Sequence, residues 1–427
     1  MFELRVPGDK SISHRALLLA AVASGTSRIR GLLPGEDPRS TARVLRALGV
    51  DVPELTQATL EIRGRGLRGL SQPAADLDCG NSGTTARLLL GILAAQPLDA
   101  VVTGDASLRS RPMRRVSEPL TRMGASIDEL EAADRLPLRV RGGPLRAIAH
   151  ASEHASAQVK GALMLAGLCA GVPVTVAEPA LSRDHTERLL RGLGVGIRVE
   201  TAGPQGGSQS ALQPVQSLPA LDLVVPGDFS AAAFLLALAL LAGGRSLRIA
   251  GVGTNPTRTG LLPVLERMGA AVRVEAERSQ CGEPVGDIVA AASSLAATTI
   301  DAAEIPTLID EVPILAVLAA HANGETRIRG AEELRLKESD RLAVLAANLR
   351  GTGVACTELP DGLVIQGADR PLSGTVHAHG DHRIAMAFGI AAALPGSRIE
   401  IDDPTCADIS FPGFWQLVRR TMAELRA

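Results

Sequence analysis

Tyrosine is absent from this 427-residue chain, tryptophan occurs once and phenylalanine six times, so aromatic residues make up only 2% of it. Nucleic-acid bases have little here on which to stack, and a formal net charge of −2 offers a polyanion no general attraction, which together argue against nucleic-acid binding. The five cysteines (Cys79, Cys169, Cys281, Cys356 and Cys406) lie far apart, without CxxC or paired-histidine spacing. Neither a disulfide framework nor a metal centre is expected from them, and they read as small core hydrophobes. The longest greasy run, residues 231–242, is too short to span a bilayer, and no cationic segment leads into an apolar stretch at the start. The expected compartment is the cytoplasm, with no membrane partner. What is present, 46% apolar and 21% charged residues over a length sufficient for two ordinary domains, is the composition of a soluble globular protein.

The chain repeats itself. PGDKSISHRALLLAAVASGTSRIRG at 7–31 returns as PGDFSAAAFLLALALLAGGRSLRIAG at 226–251, which divides the sequence into two related halves. The same plan, a polar glycine- or serine-containing opening, an apolar helix, a turn and a strand, recurs at 80–105, 156–179, 308–334 and 381–404, making six openings. Between them lies a second helix type, charged on one face and closed by Gly49, Gly124, Gly194, Gly269 or Gly353 before a short strand. The spacing predicts one α/β (α+β) unit per roughly 70 to 85 residues, three to each half, with the apolar helices buried and the charged ones outside.

The openings carry the chemistry, because unpaired N–H groups and the helix dipole favour an anion at a helix start. In PGDKSISHR a helix is expected to open near Ser13, with Lys10 and Arg15 facing the same place. Asn81, Ser82, Gly83 and Thr84 offer an amide, hydroxyls and a glycine that lets a ligand approach the backbone. Arg111 precedes Pro112, which is expected to start a helix and hold the arginine extended. Ser156, Gln158 and Lys160 head the third apolar helix, and Ser182 and Arg183 precede an outer helix near His185. In the second half, Asp310 and Glu311 interrupt an aliphatic stretch, where a carboxylate has a raised pKa unless a cation pairs with it. In KESDR, Lys337 and Arg341 are four apart and are expected on one helix face beside Glu338. Asp381, His382 and Arg383 stand before the last apolar helix, placing Arg383 to grip a carboxylate or phosphate. Any one of these has an ordinary alternative: a cap, a solvated charge or a structural ion pair. Several together imply a polyanionic ligand.

In order, PGDKSISHR, GNSGTTAR, SRPM, SAQVK, SRDHTE, IDE, KESDR, DHRIAMAF and SFPGF resemble the 5-enolpyruvylshikimate-3-phosphate (EPSP) synthase family nearly end to end. The resemblance implies two similar domains, each of three βαβαββ units, with the active site in the cleft between them. It places residues 10–226 in the first domain and residues 1–9 with 227–427 in the second. It implies transfer of the enolpyruvyl group of phosphoenolpyruvate to the 5-hydroxyl of shikimate 3-phosphate through a tetrahedral ketal, with no metal or other cofactor, by a monomer. Carried over residue by residue, Lys10, Ser11, Arg15, Ser156, Ala157, Gln158, Ser182, Arg183, Asp310 and Lys337 would hold shikimate 3-phosphate. Lys10, Asn81, Gly83, Arg111, Gln158, Arg341 and Arg383 would hold phosphoenolpyruvate. Asp310 would be the base toward the 5-hydroxyl, and Glu338 with Lys337 would manage protonation of the enol carbon and departure of phosphate, beside Lys10.

Two departures stand out. Enteric bacterial members carry a lysine near the C-terminus, and the corresponding segment CADISFP contains none. The KESDR and SAQVK forms resemble a subgroup with glyphosate-tolerant members that often has alanine where this chain has Gly83, so inhibition by glyphosate is expected. UDP-N-acetylglucosamine enolpyruvyl transferase, a related alternative, typically places a cysteine in the loop before the Arg-Pro pair, and residues 105–111 contain none. RNA 3′-phosphate cyclase uses similar units, but poverty of aromatics and the near-neutral charge disfavour it. A non-catalytic anion-binding repeat protein would not need Asp310 and Glu338 beside the cations.

Overall fold

Six helices are apolar on almost every side, and such helices have no face to turn to water. Lys10–Val22, Gly83–Ala94 and Ala157–Ala170 fill the interior of one unit, and Phe229–Ala242, Val312–Ala320 and His382–Ala393 that of another. The extreme case is Phe229–Ala242, which carries no charged residue and is buried from Phe229 to Leu240. Each fully buried Leu, Ile or Phe stabilises by about 1.5–3 kcal/mol relative to exposure, so these helices dominate the two cores. The computed structural model describes residues 1–202, 207–368 and 370–427.

Contacts divide the chain into Gly8–Val225 with Ser279–Glu283, and Met1–Pro7 with Pro226–Arg278 and Pro284–Ala427. In the first unit each buried helix is flanked by strands of its own small sheet. Thr26–Arg30 pairs in parallel with Asp222–Val224 and antiparallel with Thr59–Arg63. Asp99–Thr103 lies parallel to Leu77–Asp78 and antiparallel to Leu138–Arg141, which pairs antiparallel with Ser126–Glu129. Val174–Glu178 lies parallel to Ile148–Ala151 and antiparallel to Gly207–Leu212, followed by Ile197–Ala202. In the second unit Leu247–Gly253 takes Phe2–Leu4 as its parallel neighbour, with Glu283–Ala291 and Ala271–Gln280 beyond. Glu325–Ile328 joins Thr299–Ile300, Gly362–Gln366 and Cys356–Leu359. The last sheet has two strands among the described residues, Ser373–Val376 parallel to Arg398–Ile401, and the helix Phe414–Arg426 follows.

The expected closing glycines all have left-handed backbone, with φ of 83° at Gly49, 117° at Gly124, 81° at Gly194, 79° at Gly269 and 91° at Gly353, so a side chain at any of them would be strained. Gly91 serves a different end, because a β-carbon there would lie 2.1 Å from the Ala162 carbonyl oxygen. Its absence lets Gly83–Ala94 and Ala157–Ala170 approach closely. Two expected helix starts are displaced. The first helix opens at Lys10, not near Ser13, because the Asp9 carboxylate accepts the Ile12 N–H at 2.8 Å and caps it. Pro112 does not start a helix; the helix runs from Arg114 to Met123, and the Arg114 N–H is held by Asp134. All five cysteines are free, four of them buried, and burial pushes the Cys79 and Cys169 thiols up. No described helix is long and apolar enough to cross a membrane.

Candidate functional site

The Gly8–Val225 unit gathers the first set of expected residues at helix starts. Lys10 and Ser11 lie in the first turn after the Asp9 cap, and the Lys10 ammonium pairs with Asp37 at 2.9 Å. Arg15, one turn on, is 3% exposed; its Nε donates to Thr186 Oγ1 at 2.7 Å and its Nη groups to the Ser11 carbonyl at 3.0 Å and the Ala157 carbonyl at 3.5 Å. One guanidinium therefore ties the first opening to the third and to the SRDHT segment. Desolvation lowers the pKa of Arg15, an effect opposed chiefly by Glu187. Ser82 caps the second buried helix, whose first residue is Gly83, and the Asn81 amide donates to Asp105 at 2.7 Å while its oxygen accepts from Arg111 Nη2 at 2.7 Å. Ser156 caps the third, followed by Ala157 and Gln158.

Arg87 was part of the GNSGTTAR motif, yet nothing in its spacing assigned it work. It donates through Nη1 to Gln158 Oε1 at 2.8 Å and through Nη2 to the Pro112 carbonyl at 3.1 Å. The Gln158 amide also donates to Thr84 Oγ1 at 3.0 Å, so Gln158 is fixed in rotamer by both ends of its amide. Ser182 donates to Glu178, and half-buried Arg183 follows it before the helix His185–Gly192.

His14 sits behind this cluster, fully buried, with Nδ1 2.7 Å from Thr41 Oγ1. Desolvation, with Lys10 and Arg15 adding to it and Asp37 opposing, lowers its pKa from 6.5 to about 3. Below the unfolded value the unfolded chain binds a proton that the folded ring refuses. Stability present above that value is therefore lost as pH falls toward the folded one, by up to about 1.4 kcal/mol per pH unit. Urea midpoints measured between roughly pH 7 and pH 4 should show this slope, and His14→Gln should flatten it. An equal slope in the variant would assign the acid sensitivity to other groups.

The other unit supplies the carboxylates. Asp310 lies between the helices Ile305–Leu308 and Val312–Ala320, and its carboxylate meets three guanidinium groups: Arg258 at 3.6 Å, Arg341 at 3.9 Å and Arg383 at 3.5 Å. Cations thus face a carboxylate that stands in an otherwise aliphatic stretch. Arg383 also donates through Nη1 to the Asp310 carbonyl at 2.9 Å, and Asp381 caps the helix that carries Arg383. Arg341, 1% exposed, grips Asp381 through Nε at 2.7 Å and Nη2 at 3.2 Å and also donates to Glu338. Desolvation alone would lower the Arg341 pKa, but Glu338, Asp381 and Asp310 outweigh it and the guanidinium rises above its ordinary value. Asp381 is held below its ordinary value because Arg341 overcomes desolvation.

KESDR is not one helix face. Lys337 ends the 3₁₀ turn Glu332–Leu336 in an extended conformation, and the helix Arg341–Gly351 begins only after Asp340, whose carboxylate accepts the Ala343 N–H at 3.1 Å. Capping by Asp340 breaks the segment, so Lys337 and Arg341 do not share a helical turn. Arg258 is the residue that spacing alone could not find. It is 3% exposed in the 254–260 loop, donates to Ser230 Oγ at 2.7 Å and lies 3.6 Å from each of Asp228, Asp310 and Glu311.

Helix starts that present cations, hydroxyls and N–H groups can hold phosphate and carboxylate oxygens, and a carboxylate flanked by guanidiniums can take up a proton in a fixed orientation. Comparison with known proteins agrees with that chemistry. A family description, EPSP synthase (3-phosphoshikimate 1-carboxyvinyltransferase), matches residues 2–418. The 3-phosphoshikimate 1-carboxyvinyltransferase of Gloeobacter violaceus is 50% identical over 423 residues, 99% of this chain and 96% of the relative. That of Geobacter metallireducens is 47% identical over 424 residues, covering 99% and 97%. The solved EPSP synthase of Acinetobacter baumannii superposes with a TM-score of 0.87 at 40% identity, covering 98% of this chain and 95% of that one.

Proposed function

Because the chain belongs to the EPSP synthase family, we infer that it transfers the enolpyruvyl group of phosphoenolpyruvate to the 5-hydroxyl of shikimate 3-phosphate. It thereby serves chorismate and aromatic amino-acid biosynthesis. In structural terms the reading is carried by Arg15, whose guanidinium ties the helix starts at Lys10 and Ala157 to Thr186. A multi-point phosphate and hydroxyl site needs such coupling.

Lys10, Ser11, Arg15, Ser156, Ala157, Gln158, Ser182 and Arg183 hold shikimate 3-phosphate, with Asp310 and Lys337 also contacting it. Lys10, Asn81, Gly83, Arg111, Gln158, Arg341 and Arg383 hold phosphoenolpyruvate. Asp310 takes the proton of the 5-hydroxyl as its oxygen attacks C2 of phosphoenolpyruvate, while Glu338, with Lys337, protonates C3. The resulting ketal loses phosphate as its C3 methyl returns a proton to Glu338, which re-forms the C2–C3 double bond and gives the enol ether. Cations fixed by carboxylates before substrate arrives stabilise the charge that develops on phosphate without reorganising at the moment of reaction. The purified chain should release phosphate only when both substrates are present; release from phosphoenolpyruvate alone, or none, would overturn the reading.

The enzyme works as a monomer in the cytoplasm. In support, each unit closes its own apolar core, and among the described residues only Met1, Leu130, Val224 and Leu336 are exposed large hydrophobics. Size-exclusion chromatography checks this.

Glyphosate inhibits the enzyme in the micromolar range. A β-carbon at Gly83 would lie 2.9 Å from Arg87 Nη1 and 3.4 Å from Arg111 Nη1. Both neighbours are ends of flexible side chains, so Gly83→Ala should fold. It should raise the KM for phosphoenolpyruvate by about tenfold and weaken glyphosate more. Steady-state inhibition curves check both; wild-type insensitivity to glyphosate in the micromolar range would contradict the assignment.

A further inference from the structure

Lys160, Glu178 and Glu187 form a buried charge cluster, their side chains each 1% exposed. The Lys160 ammonium lies 2.7 Å from Glu178 Oε2 and 2.9 Å from Glu187 Oε1. Desolvation opposes the charge on Lys160, but the two carboxylates overcome it and its pKa is raised. A buried charge cluster is poor evidence for stability, since apolar residues of similar volume often do as well or better. Its contacts here point to another use. Glu178 Oε1 accepts the backbone N–H of Ser156 at 2.7 Å, and both Glu178 oxygens accept from Ser182 Oγ, at 2.8 and 2.9 Å. Lys160 donates to the Ser182 carbonyl at 3.4 Å. Glu187 is the neighbour of Thr186, the hydroxyl that holds Arg15, and is the leading charge favouring the Arg15 cation.

We propose that Glu178, neutralised in place by Lys160, is a positioning residue that locks the Ser156 and Ser182 openings to each other for binding the phosphate and hydroxyl groups of shikimate 3-phosphate. The inference rests on the substrate assignment given above. Ser156 starts the buried helix Ala157–Ala170, while Ser182 lies between the strand Val174–Glu178 and the helix His185–Gly192. The Glu178 carboxylate accepts from both and so joins them, and the Lys160 cation beside it offsets the burial of its charge.

The test is steady-state kinetics of full-length Glu178→Gln and Glu178→Asp beside the wild type, with circular dichroism melts as a check on folding. Glutamine keeps the shape and removes the charge; aspartate keeps the charge and draws it back from both serines. Either variant, once folded, is expected to raise the KM for shikimate 3-phosphate by at least about tenfold, with the KM for phosphoenolpyruvate and kcat within about threefold. A KM for shikimate 3-phosphate within about twofold of wild type would overturn the inference. So would a comparable change in all three constants, or failure of both variants to fold, since the cluster would then be a folding element. If the wild type itself showed no turnover, the substrate assignment would fail first; an active wild type with indifferent variants sinks this inference alone.

Discussion

Replacing Asp310 with asparagine is expected to lower kcat by about 10²–10⁴-fold, the usual contribution of a positioned general acid or base, while shikimate 3-phosphate still binds. Asparagine retains the volume and an oxygen acceptor for Arg383, so the local geometry should survive. What it lacks is a site for the proton of the 5-hydroxyl. The three guanidiniums that converge on Asp310 come from different segments, Arg258 from a loop and Arg341 and Arg383 from the first turns of two helices. Such convergence holds the carboxylate in one orientation, as proton transfer requires. Calorimetric titration of the variant with shikimate 3-phosphate separates binding from chemistry. A kcat within about threefold of wild type would remove Asp310 from the reaction. Glu338→Gln should behave similarly, its carboxylate lying on the link before Asp340 and accepting from Arg341.

Arg341→Met should be the most damaging single change to stability. It deletes a guanidinium 1% exposed and leaves Asp381, wholly buried, without its bidentate partner. Breaking a buried pair from one side destabilises by about 3–5 kcal/mol, because the remaining charge has no water to turn to. Turnover should be lost as well, since Glu338 and Asp310 both lean on the same group. Arg341→Lys retains the charge without the planar fork and should fall between the two. Urea denaturation measures the difference; a loss below about 1 kcal/mol would show that the cluster behaves as an exposed pair does.

Much of this was legible in the residues. The apolar helices announced themselves by having no polar face, and their closing glycines by position, because only glycine takes a left-handed backbone without strain. The cations at helix starts were equally visible. What failed was local. Asp9 and Asp340 each capped a helix that spacing placed elsewhere, because a cap is a choice among neighbouring candidates that tertiary packing makes. Pro112 is a helix start by residue preference alone, and the fold puts the start two residues later.

Arg258, Arg87 and the Lys160 cluster were missed for a different reason. Their partners are distant in sequence: Arg258 meets Ser230 and Asp310, Arg87 meets Gln158, and Lys160 meets Glu178 and Glu187. No periodicity reports a pair separated by far more than a helical turn or a hairpin. A lysine within an otherwise apolar helix was a usable signal, since burial of Lys160 demanded a carboxylate somewhere. Sequence could not say which one.

The most direct measurement is proton NMR of the purified chain mixed with shikimate 3-phosphate and phosphoenolpyruvate, following the vinyl protons. The expected result is loss of the phosphoenolpyruvate pair and growth of a new enol-ether pair, with a shift of the proton at the 5-position of the shikimate ring, in step with free phosphate in the phosphorus spectrum. Persistence of the phosphoenolpyruvate signals at catalytic enzyme, or phosphate appearing with pyruvate and no enol ether, would contradict it.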